Sequence, residues 1–294
     1  MFDDRVLQVG IEVNGQLLVY EGANIEVKYT KTTDPKQNEV EVSISNLLKE
    51  TIDYLVTETS PWNPNAKPKI ITIMAGRVST GVERVFTGDI TSAIPTMPPD
   101  RTLQMKARTQ DGAKYKFAAV NSPKTIQLSQ LAKKVADSFN LKLTFEATDK
   151  TVSNYLYNGP LAKQIKKLEL VGDIDAYIDD DILVVKDLGK GLKGDVRVIS
   201  VNTGMINAPV PDEKGVKVRV LFDPSIKLGQ QIEIQSDVNK AVNGQYVIYE
   251  MAVSLMSRGL DWYMDLSCNN DNIKSIAEKR AAQKKKDAES EKKK

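Results

Sequence analysis

The sequence predicts a mainly β protein with an α+β insert and a charged C-terminal extension. Three observations carry this. Short alternating or β-branched runs, closed by Gly, Pro, Asn or Asp, fill residues 5–109 and again 198–268. Between them apolar residues recur at helical spacing. After Cys268 the alternation stops, and Ala, Lys and Glu dominate. The expected units are a β domain with one helix at 1–109, an α+β domain at 110–195, a second β domain at 196–270, and a charged tail at 271–294, helical or disordered.

Residues 5–13 alternate, Asn14-Gly15 supplies a type I′ turn signature, and 16–20 return as the second arm of a hairpin. Glu21-Gly22 turns the chain into 24–30, where Ile25, Val27 and Tyr29 share a face. A polar loop with Pro35 follows, and 39–45 put Val40, Val42 and Ile44 together. At Ser45-Asn46 the period lengthens. Leu47, Leu48, Ile52, Leu55 and Val56 predict a helix, with Glu50 placed to help cap its start. Ser60-Pro61-Trp62-Asn63-Pro64 ends it. Strands at 69–75 and 83–90 flank a turn at 76–81, and Pro95, Pro98 and Pro99 mark a loop before a strand at 102–109. Asp111-Gly112 is another tight turn.

From Pro123 the character changes. Leu128, Leu131, Ala132, Val135 and Phe139 form the stripe of an amphipathic helix. Residues 141–145 read as a strand, and Leu161, Ile165, Leu168 and Leu170 as a second, shorter helix. Strands at 174–178 and 182–185 pair around Asp179-Asp180-Asp181. In the last region, 200–206 lead to a turn-rich segment with Pro209 and Pro211. Strands follow at 216–222, 231–235, 246–251 and 261–266, with Asn243-Gly244 read as a hairpin turn. That spacing fits a small antiparallel barrel or sandwich.

A chain of 294 residues has room for about two domains and a real core. Its 41% hydrophobic and 27% charged residues are ordinary for a globular protein. The formal charge of +2 hides a division: residues 274–294 hold nine Lys or Arg against four Asp or Glu, a net of +5, leaving −3 for the rest. The single cysteine, Cys268, allows no intrachain disulfide. The acidic start, Met1-Phe2-Asp3-Asp4-Arg5, is not a secretory signal, and no stretch of ~20 apolar residues spans a membrane. Folding in a cytoplasm is the expectation.

No residue pattern calls for catalysis. Histidine is absent, which removes the commonest general base and metal ligand. Asp179-Asp180-Asp181 could attract a divalent cation, but no further ligands lie at a suitable spacing and Asp favours turns, so it reads as a turn. The lysine-bearing glycine run at 189–194 lacks the order of a phosphate-binding loop and reads as a flexible inter-domain linker. Cys268 reads as inert packing. Trp262 and Tyr263 could stack a base or a sugar, but alternation turns one of the two inward, and Trp262 shares a face with Met264 and Leu266. The expectation is a non-enzyme with no catalytic, cofactor-binding or metal-ligating residue and no cofactor.

Val42-Ser43-Ile44-Ser45-Asn46-Leu47 runs straight into a helix, and a later strand ends in Ala75-Gly76. Val85-Phe86-Thr87-Gly88-Asp89-Ile90 holds an F-x-G-x-I pattern. Gln110-Asp111-Gly112, the helix at 128–139 and Thr203-Gly204-Met205-Ile206 with Pro209 continue the order. Phe222-Asp223-Pro224, Leu228-Gly229, Asn243-Gly244-Gln245-Tyr246 and Asp261-Trp262 complete it. In this order, over about residues 5–268, these stretches resemble the baseplate hub proteins of contractile-tailed bacteriophages, the late-control-D-like hubs derived from tail tubes, whose F-x-G-x-I strand residues 85–90 match.

The resemblance implies two tube-like antiparallel β-barrel domains around the α+β domain, in a homotrimeric ring located in the virion baseplate and assembled in the host cytoplasm. The ring would adapt a hexameric tail tube to a trimeric central spike. Its partners would be the tube protein, the spike protein, other baseplate proteins and, transiently, DNA passing through the channel, with no membrane insertion. The resemblance supplies no catalytic residues and no role for the tail. Two other readings compete: a receptor- or carbohydrate-binding β protein using Trp62, Trp262 and tyrosines, and a single-strand-binding barrel. The first needs exposed aromatics on a groove and the second a basic β face with aromatics interleaved; residues 198–268 concentrate neither.

Overall fold

Alternation in the first hundred residues becomes strand pairing. In the computed structural model, which describes residues 3–13, 15–34, 36–63, 68–97, 101–113, 116–122 and 124–270, these residues form β1 (Arg5–Val13), β2 (Gln16–Tyr20), β3 (Ile25–Thr32), β4 (Glu39–Ser45), α1 (Lys49–Glu58), β5 (Ile70–Arg77), β6 (Gly81–Pro95) and β7 (Thr102–Arg108). The Asn14 half of the first expected turn, Pro35, Pro64, Pro98, Pro99, Pro123 and the tail at 271–294 lie outside the described residues. Ile25, Val27, Tyr29, Val40, Val42 and Ile44 are buried, as their spacing predicts. In α1, Ile52 and Leu55 face the core. Leu48 instead precedes the helix and is exposed, and Glu50 lies in the first turn where no side chain caps the end. Pro95 closes β6 and does not open a loop.

The insert comprises β8 (Phe117–Asn121), β9 (Thr125–Gln127), α2 (Leu128–Ser138), β10 (Lys142–Phe145), β11 (Thr151–Ser153), β12 (Leu156–Pro160), α3 (Leu161–Gly172), β13 (Ile174–Asp179) and β14 (Ile182–Asp187). The predicted stripe of Leu128, Leu131, Ala132, Val135 and Phe139 is buried throughout. It packs with α3 and the sheet β10-β14-β13 in a core of its own. In α3, Leu161, Ile165 and Leu168 point inward, but Leu170 is exposed and the helix is the longer of the two. Two small ribbons, β8–β12 and β9–β11, complete the unit.

The last region adds β15 (Leu192–Ile199), β16 (Val210–Pro211), β17 (Gly215–Leu221), β18 (Gln230–Ile234), β19 (Gly244–Met256) and β20 (Trp262–Asn269). Two expectations give way here. Asn243-Gly244 does not make a two-residue hairpin; the connection runs from β18 through residues 235–243. Asn243 braces that loop, accepting from the Ser236 N–H (2.7 Å) and donating to its carbonyl (3.1 Å). The glycine run at 189–194 is not simply a linker either, because Leu192 already pairs with Gln230 as β15 begins. Gly191 packs so closely that a Cβ there would sit 2.7 Å from that of Gln231.

The two outer regions are joined. The first part of β19 pairs with β18 (Val247 opposite Gln231), and its second part pairs with β3 (Ala252 opposite Thr30). The result is one 13-stranded sheet running β16-β17-β20-β19-β3-β4-β7-β6-β5-β1-β2, with β18 branching from β19 and β15 pairing with β18. Among the described residues no barrel closes. The sheet curls over a single apolar core that includes both Leu7 and Cys268, and Arg5 Nη1 donates to the Gly259 carbonyl at 3.1 Å.

Candidate functional surface

Strand alternation sends one set of side chains into this core and leaves a polar set on the outward face. There the charges pair across and along strands. Lys106 Nζ lies 2.6 Å from Glu41 and Arg108 Nε 2.8 Å from Glu39, each pair directly opposed on β7 and β4. Lys28 Nζ lies 2.6 Å from Glu26 on β3. On β17 and β20, Arg219 donates twice to Asp265, at 2.7 and 2.8 Å, with its guanidinium stacked 4.1 Å from the Tyr263 ring centroid. The hydrogen bond that Lys28 donates to Glu26 raises its ammonium above the ordinary pKa, and those that Arg219 donates to Asp265 do the same for its guanidinium. Exposed pairs of this kind add little stability, about 0–1 kcal/mol each. Their effect is on the field: each of these cations has a carboxylate beside it. Ser43 opposite Gln104 and Ser254 opposite Tyr263 extend the face with neutral groups.

A second cluster holds the insert against the sheet. Asp179-Asp180-Asp181 forms the turn of the β13–β14 hairpin, as expected, with Asp180 in the left-handed conformation at φ 54°. Each carboxylate is engaged. Lys31, at the inward end of β3 and only 6% exposed, donates to Asp179 at 2.5 Å and Asp180 at 3.1 Å. The Thr87 N–H donates to Asp180 at 3.2 Å, and Arg84 and Lys142 reach Asp181 at 3.0 and 2.8 Å. Burial alone would lower the Lys31 pKa, but Asp179 and Asp180 outweigh it and hold the ammonium above its usual value. Nearby, Asn38 Nδ2 donates to the Ile178 carbonyl and Tyr177 Oη to that of Leu228, both buried. Lys31, Asp179, Asp180, Tyr177 and Leu228 border a cavity of about 300 Å³ between insert and sheet. The cations are thus supplied by the protein, and among the described residues no group of three or more acidic or cysteine side chains is arranged to hold a metal.

The remaining residues singled out in the sequence fall apart from one another. Trp262 is buried, with Phe222 edge-on at 5.4 Å and Arg5 5.3 Å from its ring centroid, while Tyr263 faces outward. Trp62 is 90% exposed beyond α1. Cys268 is fully buried, and burial pushes its thiol far above the ordinary value. No helix among the described residues is long and apolar enough to cross a membrane. Sequence reasoning missed Lys31, although its place two residues after Tyr29 on an inward-facing register was the available signal.

Solved structures that share this fold include two tail proteins and a type VI secretion component. The tail protein of Neisseria meningitidis MC58 superimposes with a TM-score of 0.61 at 11% identity, over 91% of this chain and 97% of that one. The 43 kDa tail protein of prophage MuSo2 from Shewanella oneidensis gives 0.59 at 9% identity, over 90% and 98%. The E. coli c3393 protein, a type VI secretion component described as structurally similar to the T4 tail proteins gp27 and gp5, gives 0.55 at 8% identity, over 90% and 77%. No curated protein matches the sequence. The family model described as baseplate hub gp41 matches residues 6–268, which takes in both β regions and the insert between them. This chain belongs to the baseplate hub gp41 family, a family of structural tail proteins.

Proposed function

We propose that the chain is one protomer of a homotrimeric baseplate hub that joins a sixfold tail tube to a threefold central spike and lets DNA pass during ejection. In this reading the N- and C-terminal parts of the curled sheet act as two tube-like units, so that three chains offer six similar rims to the tube. The insert at 110–195 serves as a separate domain toward the spike. The hub would sit in the virion baseplate after assembly in the host cytoplasm. The observation that carries the reading is the outward face of the sheet, where Lys28, Lys106, Arg108 and Arg219 are each matched by a carboxylate. A wall that must pass DNA cannot grip it, because each unneutralised cation would bind phosphate and release counterions.

Native mass spectrometry of the purified chain should return a trimer. Glu39→Lys with Glu41→Lys should make the chain bind duplex DNA more tightly than the wild type, with a steeper loss in salt. A wild-type chain that already binds DNA as tightly as the variant sinks the channel reading.

The tail is read as an arm that orders on an acidic surface of a neighbouring tail protein, since residues 274–294 carry a net +5 and no apolar stripe. Truncation after Asn270 should leave the melting temperature unchanged and weaken assembly more at low salt than at high salt. Loss of folding in the truncated chain would show that the segment belongs to the core.

A further inference from the structure

The near-neutral charge of the insert conceals a segregation. Residues 112–136 and 150–168 contain nine lysines and no aspartate or glutamate. The acidic residues instead crowd residues 173–187, at the end docked on the sheet. The two lysine-bearing segments supply the ribbon β8–β12 and the helices behind it.

One face of that ribbon is packed. Val120 and Tyr157 meet the core of α2 and α3, and the buried Gln164 of α3 donates to the carbonyls of Ala118 (2.7 Å) and Tyr157 (3.2 Å). Tyr155 Oη completes the bracket by donating to Gln164 Oε1 at 3.0 Å. A two-stranded ribbon is marginal alone; this one is fixed from behind.

Its other face is open and uncharged. Phe117 is 69% exposed and Leu156 75%, with Ala119, Asn121 and Asn158 beside them. Exposed lysines stand at both ends of the ribbon. Lys116 precedes Phe117, and Lys163 follows Pro160 in the first turn of α3. At the far end Lys134 Nζ reaches the Asn121 carbonyl (3.5 Å), and the Lys124 carbonyl accepts from the Asn154 N–H. Among the described residues Lys116, Lys124, Lys134 and Lys163 form no ion pair.

We propose that the outward face of the β8–β12 ribbon docks a partner protein whose contact surface has an apolar centre ringed by carboxylates. An uncharged centre with a charged rim is the anatomy of a protein–protein contact. Nucleic acid would ask for the cations on the face itself, interleaved with the aromatic groups. The rim lysines would steer and select an acidic partner, while Phe117 and Leu156 supply the buried anchors. The inference stands on the ribbon alone and does not depend on the channel reading.

The test uses the full chain and a short peptide of alternating leucine and glutamate, with binding read by fluorescence anisotropy at low and high salt. The wild type should bind this peptide and not its leucine–lysine counterpart. Phe117→Ser with Leu156→Ser should weaken binding on the order of tenfold. Lys116→Glu, Lys124→Glu, Lys134→Glu and Lys163→Glu together should abolish it and admit the lysine peptide. All substituted side chains are exposed, so unchanged melting temperatures are expected and are measured alongside. The proposal is overturned if the wild type ignores the acidic peptide, or if neither variant changes its binding. It is equally overturned if these lysines bind duplex DNA more tightly than the peptide, or if the same variants dissolve a homo-oligomer, which would make a second copy the occupant.

Discussion

Trp262→Ala is expected to lower the unfolding free energy by about 3–5 kcal/mol, the range for removing a large buried aromatic group. The indole is 1% exposed and lies where the curled sheet brings β1 over β20, so its loss opens a cavity between Phe222 and Arg5. Its Nε1 finds no hydrogen-bond partner among the described residues. Trp262→Phe deletes that orphan donor while keeping most of the apolar surface, and should lose much less. Trp62→Ala, at a side chain in solvent, should stay within about 0.5 kcal/mol of wild type. Thermal melts of the three variants decide the matter, and equal losses at positions 62 and 262 would contradict the placement of both.

Lys31→Ala should cost a similar amount, about 3–5 kcal/mol, for a different reason. Removing the ammonium leaves Asp179 and Asp180 facing each other in a nearly dry site with only the Thr87 N–H and more distant cations to hold them. The control is Lys31→Met combined with Asp179→Asn and Asp180→Asn. Replacing all the charges removes the imbalance, and Asn tolerates the left-handed backbone at position 180. This triple variant should recover most of the loss. The raised pKa of Lys31 fixes the sign of the pH dependence. Its contribution is complete below its unfolded value, about 10.4, and disappears as the pH rises through the higher folded value. In alkaline melts the difference between wild type and the triple variant should therefore stay constant up to about pH 10 and shift against the wild type above it. A Lys31→Ala protein as stable as wild type would remove the cluster from the account of how the insert is held.

Much of the fold was legible because alternation and helical spacing are local. The inward residues of β1, β3, β4 and α2 follow from spacing alone, and so does the turn at Asp179–Asp181. What was not legible depends on partners distant in sequence. The ribbons β8–β12 and β9–β11 are built from runs of three to five residues whose mates lie beyond a helix, so neither half looks like a hairpin. Asn243-Gly244 carries a strong turn signature, yet the Asn243 side chain is spent on the Ser236 backbone and lengthens the loop. The polar face shows in the sequence as alternate charged residues, but that Glu39 and Glu41 meet Arg108 and Lys106 is a matter of register. The docking cluster was half visible: three aspartates in a row are conspicuous, whereas one lysine in an apolar register is easily taken for a strand end.

The pairing of β3 with β19 also dictates an order of events. Ile25 receives its Ser257 hydroxyl partner from 232 residues further along the chain. While the ribosome is still making the insert, β3 has β4 on one side and nothing on the other, and Trp262 does not yet exist to fill the space beneath β1. The insert, with its own core, can fold during that interval; the large sheet cannot finish until the last strands emerge. Contacts of such long sequence separation are slow to form and leave an unpaired edge exposed in the meantime. Synthesis halted after β14 but before β19 would therefore release a chain with a competent centre and a sticky N-terminal sheet, a natural client for chaperones.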